Sequence, residues 1–333
     1  MRISVIIITR DEQPRLRLCL ASLARQTVCW QRDAELIIVD DGSAPAIGSE
    51  EIPATLPMPK IIRHERSRGR SAARNAGAGV ALGERLLFLD GDVLLSPEAI
   101  MRHGRLGPGE LGRGEQRHLR ETRFFRDPRT GEPWPGLESL VRGLGDLSSR
   151  LVTERMIEEL SFDRWVERSE TAIYPGAAPR RLYELEMSAL RARSAPQAEW
   201  MAAAGHNFSV PRAAFAAVGG FNELISINEH RELALRMSRR GARLVVVEGA
   251  ISIHITHRSG WRDPLAGDDD WQAIFATHHP LETQVMVQFW RSLAADCSIA
   301  PAERVMTLEA ANTLLCQHRA AEARAPRPAG RDG

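Results

Sequence analysis

The sequence predicts an α/β fold in which helices cover both faces of a mixed, mainly parallel sheet. Three short runs, residues 3–8, 36–39 and 86–89, consist almost wholly of Ile, Val, Leu and Phe. Such runs are typical of strands that are buried on both faces. Helical patterns separate them, and the alternation of strands with helices builds parallel βαβ units. The 333 residues suffice for one large domain or two ordinary ones.

Each element of the first unit, residues 1–103, follows from its local pattern. Residues 11–27 place Leu and Cys side chains at helical spacing after the first strand. Residues 60–64 can form a short third strand, and the Ala and Gly residues of 69–83 predict a closely packed helix. The run RLLFLD then supplies the next strand, so strands and helices alternate through most of this unit.

The pattern changes beyond the first unit. Residues 104–202 combine Gly-rich stretches with charged helical segments, which predicts a helical insertion. Strand, helix and a Gly-Gly turn return in residues 203–262. We expect C-terminal helices in residues 263–322. The Arg-, Pro- and Gly-rich tail of residues 323–333 is expected to be disordered.

The overall charge and hydropathy exclude some classes of function. The formal net charge is +1, so the bulk charge implies no attraction to nucleic acid. No apolar run approaches the ~20 residues that a transmembrane helix needs, and the N-terminal MRISVIIITR lacks the features of a signal peptide. We therefore expect a cytoplasmic protein without a transmembrane segment, and peripheral attachment at the inner face of a membrane is the alternative.

Two of the predicted strands end in paired carboxylates. Asp40 and Asp41 follow the second strand, and Asp90 and Asp92 flank Gly91 after the run LLFL. A solvated turn is the ordinary explanation, since Asp-Gly is a common turn dipeptide, and a divalent metal site is the other. Ligands of open parallel sheets bind at the carboxyl ends of the strands, so two such pairs favour a site. The polar side chains expected to converge there are Thr9, Arg10, Glu12, Asp41 and Asp92.

Several sequence blocks, in a specific order, resemble one known family. They are SVIIITR, ELIIVDDGS, GRSAARNAG, LLFLDGDV, GHNFSVPRAAFAAVGGFNE and EHRELALR. Together they are similar to glycosyltransferase family 2 over about residues 1–103 and 203–258. The resemblance implies the Rossmann-like GT-A fold and transfer of a sugar from a nucleotide sugar, UDP being the expected nucleotide and inversion the expected outcome. The first unit would bind the nucleotide sugar, residues 203–262 would form the catalytic half, and the insertion would form the acceptor side or a lid.

The resemblance also implies which residues bind the nucleotide-sugar donor. Those implied in nucleotide-sugar binding are Thr9, Arg10, Glu12, Asp41, Arg70, Arg74, Asp90 and Gly91. Within this set, Asp41 would accept a hydrogen bond from the uracil N–H, and Asp90 would bind the ribose. Arg70 or Arg74 would reach the base or the phosphates, and a solvated helix surface is the alternative for both arginines.

A divalent cation is implied at Asp92, with His254 as a second ligand of the metal or of the diphosphate. A departing nucleoside diphosphate leaves negative charge, and a hard cation stabilises such charge. Carboxylate and water ligands suit Mg²⁺ or Mn²⁺, and one imidazole favours Mn²⁺. A core histidine is the alternative for His254.

The catalytic base is the point at which the sequence departs from the family. Members commonly carry Glu-Asp before a sequence of the form xELxxR, whereas this chain carries Glu229 and His230. His230 can serve as a base, Glu229 can replace it, or the base is another residue or absent. A chain without a base would be a nucleotide-sugar-binding protein without transferase turnover. A nucleotidyltransferase, which also uses paired acids and a metal, is the other alternative. The acceptor is open between a glycan, a lipid-linked sugar, a peptide and a small molecule.

Overall fold

One eight-stranded sheet forms the centre of the described structure. The computed structural model describes residues 2–119, 152–171, 182–255, 269–294 and 306–324, together with Glu132 and Glu138. In chain order the strands are β1 (Ile3–Thr9), β2 (Ala34–Asp40), β3 (Lys60–Arg63), β4 (Arg85–Asp90), β5 (Val93–Leu95), β6 (Glu110–Leu119), β7 (Phe208–Pro211) and β8 (Arg243–Ile255). Across the sheet their order is β3-β2-β1-β4-β7-β6-β8-β5.

The strand pairing confirms the predicted mixed, mainly parallel sheet. β1 runs parallel to β2 and β4, β2 runs parallel to β3, and β6 runs parallel to β8. β7 is antiparallel to β4 and β6, and β5 is antiparallel to β8. Thr9 pairs with Asp40, and Ile8 pairs with Asp90. The polar residues that end β1, β2 and β4 therefore lie at one edge of the sheet.

Helices flank the sheet and form the C-terminal part of the chain. They are α1 (Gln13–Leu23), α2 (Arg70–Gly79), α3 (Ala99–Gly104), α4 (Glu154–Glu159), α5 (Phe162–Glu167), α6 (Leu182–Ala192), α7 (Arg212–Ala217), α8 (Glu229–Ser238), α9 (Asp269–His278), α10 (Pro280–Ala294) and α11 (Leu308–Arg324). None of these described helices combines the length and apolar character that a bilayer span requires. Helix α11 continues to Arg324, past the predicted boundary at residue 322, and residues 325–333 of the predicted tail lie outside the described residues.

The two faces of the sheet pack into separate hydrophobic clusters. Successive side chains of a strand point to opposite faces. Ile6 and Ile37 belong to the cluster that includes Ala73 of α2. Val5 and Ile38 belong to the cluster that includes the apolar side chains of α1. Helices therefore cover both faces, as the apolar runs of β1 and β2 predict.

Strand β6 corrects the predicted boundary of the insertion. Glu110–Leu119 lie between β7 and β8 in the sheet, whereas the sequence assigned them to a helical insertion. Glycines allow this close packing: a Cβ on Gly112 would lie 2.7 Å from Ser209 Oγ, and one on Gly114 would lie 2.0 Å from Asn207 Nδ2. The segment is rich in Gly and charged residues, so it lacks the apolar alternation that indicates a strand.

The described helices of the insertion attach to the end of the sheet. α4 and α5 pack through Ile157 and Trp165 into a third hydrophobic cluster with Ile253 of β8. The backbone N–H of His118 donates to Glu170 O over 2.7 Å, and the N–H of Glu170 donates to His118 O over 2.9 Å. These two bonds hold together the two ends of the segment between His118 and Glu170.

Candidate functional site

The turn between β4 and β5 lies against the residues that follow β1. Asp90 ends β4, Asp92 precedes β5, and Gly91 stands between them. A Cβ on Gly91 would lie 3.0 Å from Glu12 Oε1 and 3.3 Å from Thr9 Oγ1. Glycine at this position therefore permits the close approach of the acidic turn to Thr9 and Glu12, as the predicted convergence of strand ends requires.

Asp92 faces His254 across the pair of strands β5 and β8. Val93 and His254 are partners in the antiparallel register, and Asp92 Oδ2 lies 3.2 Å from His254 Nε2. Two donor atoms that bind one cation at ~2.1–2.2 Å and ~90° apart are about 3 Å from each other, so this spacing fits Mn²⁺ or Mg²⁺. No group of three or more His, Cys, Asp or Glu side chains converges on a metal position within the described residues. Further ligands would have to come from a diphosphate and water.

The charge of the acidic turn affects the protonation of His254. Burial alone would lower the pKa of His254, but the carboxylates of Asp92 and Asp90 raise it above its usual value. A metal binds only the neutral imidazole, so protons would compete with a metal ion for this side chain.

We expect the affinity for Mn²⁺ to weaken as the pH falls through the raised pKa of His254. Isothermal titration of Mn²⁺ between pH 8 and pH 6 measures this dependence. His254→Gln should bind Mn²⁺ more weakly at pH 8 and should lose less affinity on acidification, because no imidazole is left to protonate. The same loss between pH 8 and pH 6 in both proteins would contradict the assignment of His254 as a ligand.

Two further histidines, which the sequence did not single out, adjoin this pair. The His206 ring stacks on His254 with centroids 6.1 Å apart, and His206 Nδ1 lies 3.7 Å from Asp90 Oδ2. His118 meets His254 edge to face at 5.5 Å. The block GHNFSVP places His206 at the entry to a buried strand, which could have identified it. His118 lies in β6, which the sequence did not indicate as a strand.

Arg74 connects the acidic turn to the start of α8. Its Nη2 donates to Asp90 Oδ1 over 3.0 Å and to Gly205 O over 2.8 Å, and its Nη1 donates to Glu229 Oε1 over 2.6 Å. The side chains of Arg74 and Glu229 are each 1% exposed. One buried guanidinium thus joins two candidate groups that lie in different halves of the chain.

The two candidate bases have different surroundings. Burial would raise the pKa of Glu229, but Arg70, His230 and Arg74 hold it well below its usual value, so this carboxylate is ionised. His230 is 15% exposed, and burial lowers its pKa to about 4, so its imidazole is neutral at pH 7. Its Nε2 lies 3.2 Å from the Arg231 Nη1 donor, and its Nδ1 lies 3.7 Å from Glu229 Oε1.

Glu12 is protonated at neutral pH. Burial raises the pKa of Glu12 to about 8, and the negative charge of Asp92 adds to the rise, against the opposing effect of Arg15. Arg15 Nη2 lies 2.8 Å from Glu12 Oε2. The side chain therefore meets the acidic turn as a neutral carboxylic acid, which can donate a hydrogen bond.

Asp41 lies beside Thr9, and its side chain holds the loop before α2. The backbone N–H of Asp41 donates to Thr9 O over 2.9 Å. The groups within hydrogen-bond distance of its carboxylate are His64 Nδ1 at 2.7 Å, Ser67 Oγ at 2.6 Å, Arg68 N at 2.9 Å and Gly69 N at 3.0 Å. Both oxygens are thus engaged within the protein, and a contact of Asp41 with uracil stays a prediction.

The structure does not bring Arg10 and Arg70 into the group around the acidic turn. The side chain of Arg10 is 59% exposed and lies 3.5 Å from Asp11. Arg70 is exposed at the first position of α2, where its guanidinium donates to Ser226 O. Arg70 nevertheless acts on the site through its charge, since it lowers the pKa of Glu229.

Several buried polar atoms around this cleft have no hydrogen-bond partner in the described part of the chain. They are Thr9 Oγ1, His206 Nε2, Glu229 Oε2 and His230 Nδ1. Buried polar atoms are nearly always paired, so each exception requires an explanation. Ordered water or the hydroxyl groups of a bound ligand would supply such partners.

Comparisons with known proteins identify a glycosyltransferase domain in the first part of the chain. The family description "Glycosyl transferase family 2" matches residues 4–103. The pre-mycofactocin glycosyltransferase of Mycobacterium tuberculosis is 26% identical over 86% of this chain and 50% of its own length. An uncharacterized glycosyltransferase of Bacillus subtilis, YwdF, is 34% identical over 29% of this chain and 35% of its own. The chain thus spans half or less of the length of these relatives.

A solved structure supports the fold. The structure of GalNAc-T7 with UDP, GalNAc and Mn²⁺ superimposes with a TM-score of 0.50 and 16% identity, covering 96% of this chain and 54% of that chain. At this identity the likeness establishes the fold alone, and it confirms the predicted GT-A architecture.

Proposed function

We propose that this chain, which belongs to glycosyltransferase family 2 through the domain of residues 4–103, transfers a sugar from a nucleotide sugar to an acceptor hydroxyl. The observation that carries the proposal is the buried guanidinium of Arg74, which joins the Asp90–Asp92 turn to Glu229. It connects a position suited to a diphosphate with a position suited to an acceptor. The relatives named above are glycosyltransferases, which favours sugar transfer over nucleotidyl transfer.

At the donor end, Asp92 and His254 would hold the divalent cation, Mn²⁺ or Mg²⁺. When bound, this cation supplies Lewis-acid stabilisation of the departing nucleoside diphosphate. The chain itself binds and orients the donor. Asp90 Oδ1 accepts from Arg74, while Asp90 Oδ2 is 3.7 Å from its nearest partner, so it can accept a hydrogen bond from a ribose hydroxyl.

UDP is the nucleotide that we propose. Thr9 Oγ1 is buried without a hydrogen-bond partner in the described structure, and a hydroxyl can both donate to and accept from a pyrimidine ring. Asp41 would contribute by fixing the loop of residues 64–69 beside the base. If Asp41 also binds the uracil N–H, it must exchange one of its present hydrogen bonds for that contact.

At the acceptor end, His230 is the better placed of the two candidate bases. Its side chain is 15% exposed against 1% for Glu229, whose charge Arg74 neutralises. The neutral imidazole can accept the proton of an acceptor hydroxyl as the oxygen attacks the sugar, provided that its Nε2 exchanges the contact with Arg231 Nη1 for that hydroxyl. Attack opposite the departing diphosphate inverts the anomeric carbon. We assign the rest of the acceptor side to the insertion, whose base at His118 pairs with His254.

Titration calorimetry of UDP with and without Mn²⁺ tests this proposal. We expect Mn²⁺ to strengthen UDP binding and Asp92→Ala to remove that gain, because the diphosphate loses its counter-ion. Asp33→Ala, which removes an exposed carboxylate before β2, is the matched control and should leave the gain intact. Affinity for UDP that is the same with and without Mn²⁺, or the same in Asp92→Ala, would overturn the metal assignment. A preference for GDP or ADP in competition would overturn the assignment of UDP.

A specific observation favours a second candidate, a nucleotide-sugar-binding protein without turnover. Arg231 Nη1 lies within hydrogen-bond distance of His230 Nε2, and Arg74 Nη1 donates to Glu229 Oε1. Each candidate base therefore already has a hydrogen-bond partner within the protein. Binding of UDP-sugars without release of UDP, across a panel of acceptors and water, would favour this candidate.

A further inference from the structure

A cavity of about 600 Å³ lies at the opposite end of α8 from the candidate site. Glu229 and His230 begin this helix, whereas Ser238 and Arg239 at its end line the cavity. The helical rise of ~1.5 Å per residue separates the two ends by about 14 Å. The chain after α6, the turn into β8, the start of α10 and a residue of α11 also line the cavity. The volume is that of a pocket for a small molecule.

The lining is rich in guanidinium groups. Its charged members are Arg193, Glu199, Arg239, Arg243, Glu282 and Arg319. Four arginines thus face two glutamates, which leaves an excess of two positive charges. Arg239 Nη2 and Arg319 Nη2 both donate to Glu282 Oε1, over 2.8 Å and 3.0 Å. Arg239 also contacts His279, and Arg319 also contacts Gln197. Each guanidinium carries five N–H donors, so these partners leave donors of both arginines available to a ligand.

The other two arginines act through their charge on the buried carboxyl of Glu199. Glu199 is only 6% exposed, and burial raises its pKa while the charges of Arg193 and Arg243 oppose that rise. Arg243 is 49% exposed and lies 3.8 Å from Glu110, a distance too long for a hydrogen bond. The guanidinium groups therefore surround the cavity while remaining open to an incoming ligand.

We propose that this cavity binds a small molecule that carries a phosphate or diphosphate group. The planar fork of a guanidinium matches two oxygens of a phosphate, and several forks can share one such group. A dianion would neutralise the positive excess of the lining. The site is separate from the donor site, so its occupant binds alongside a nucleotide sugar rather than in its place.

Inorganic pyrophosphate, titrated into the full chain in EDTA, is the probe for this cavity. EDTA removes the cation on which diphosphate binding at Asp92 is proposed to depend. We expect Arg243→Ala to weaken pyrophosphate binding by about tenfold, the scale of one charge-assisted hydrogen bond. Arg240→Ala removes the same charge from an exposed arginine that does not line the cavity, and it should change the affinity by less than about twofold.

A second variant makes the test independent of how Arg243→Ala folds. Arg193 has a φ of 55°, a backbone conformation that asparagine tolerates, so Arg193→Asn removes a guanidinium without backbone strain. It should also weaken pyrophosphate binding. No pyrophosphate binding by the unmodified chain, or equal weakening by Arg240→Ala, would overturn the proposal. Malonate binding as tight as that of pyrophosphate would overturn it as well.

Discussion

Replacing Arg74 with methionine should lower the free energy of unfolding by about 3–5 kcal/mol, because it leaves a buried carboxylate without its partner. Glu229 is 1% exposed, and Arg74 Nη1 donates to its Oε1 over 2.6 Å. Methionine retains much of the apolar stem and removes the five donors, so the charge is the main change. Domains are stable by only ~5–15 kcal/mol, which makes this a large share. Urea unfolding at pH 7 measures the loss.

Two comparisons separate a buried charge from the general loss of an arginine. Arg68 and Glu223 form an exposed ion pair, with side chains 57% and 44% exposed, so Arg68→Met should cost less than about 1 kcal/mol. Adding Glu229→Gln to Arg74→Met removes the stranded charge and should recover part of the stability. Equal losses in Arg68→Met and Arg74→Met, or no recovery in the double variant, would show that the buried pair is not what stabilises this region.

His230→Ala should slow the turnover of a UDP-sugar by about 10²–10⁴-fold, the usual contribution of a general base. Its affinity for UDP with Mn²⁺ should stay nearly unchanged, because His230 lies at the proposed acceptor end and Asp92 at the proposed donor end. Release of UDP with water as the acceptor provides the rate, and calorimetry provides the affinity. His230→Asp restores the residue of the family pattern and should keep or raise the rate. Full turnover in His230→Ala would instead make His230 structural, with Glu229 the next base to test.

The pH dependence of the same reaction distinguishes the buried histidine from a solvated one. A solvated imidazole would make the rate rise through about pH 6.5. Burial lowers the pKa of His230 to about 4, so the base is already unprotonated and the rate should be level from about pH 5 to 8. The assay needs saturating Mn²⁺, so that protonation of His254 does not limit the rate. A rise near pH 6–7 that disappears in His230→Ala would contradict this pKa.

The convergence of Thr9 and Glu12 on the acidic turn could be predicted because these residues stand at recognisable places in the sequence. Apolar runs end in Asp41 and Asp90, and parallel strands bring their carboxyl ends to one edge. The structure accordingly places Thr9 and Glu12 against the acidic turn. The pair of Asp92 and His254 was expected from the resemblance to a family, since nothing local indicates that β5 pairs with β8.

The links between distant segments could not be predicted. Arg74 stands among the small residues of α2, and its partner Glu229 is 155 positions away. A charged residue in a helix is ordinarily solvated, so burial of Arg74 appears only when α2 and α8 are packed together. For the same reason the sequence could indicate His230 as a base but not its lowered pKa, which depends on the desolvation that packing imposes. Strand β6 was missed because its Gly and charged residues lack apolar alternation.

The paired backbone hydrogen bonds of His118 and Glu170 bear on how such chains diversify. They hold the two ends of the intervening segment side by side, so another segment could be joined at the same two points if it kept the contacts of Ile157 and Trp165 with the third hydrophobic cluster. Lengthening it costs little, since each doubling of a loop adds only about 0.6 kcal/mol of closure entropy. His118, where the segment begins, pairs with His254 in the sheet. An exchanged segment would therefore change the surface next to the proposed donor site without altering the register of β6 and β8. Under the proposed function, chimeras made by swapping this one segment between related chains should take their acceptor from the exchanged segment and their nucleotide from the rest of the chain.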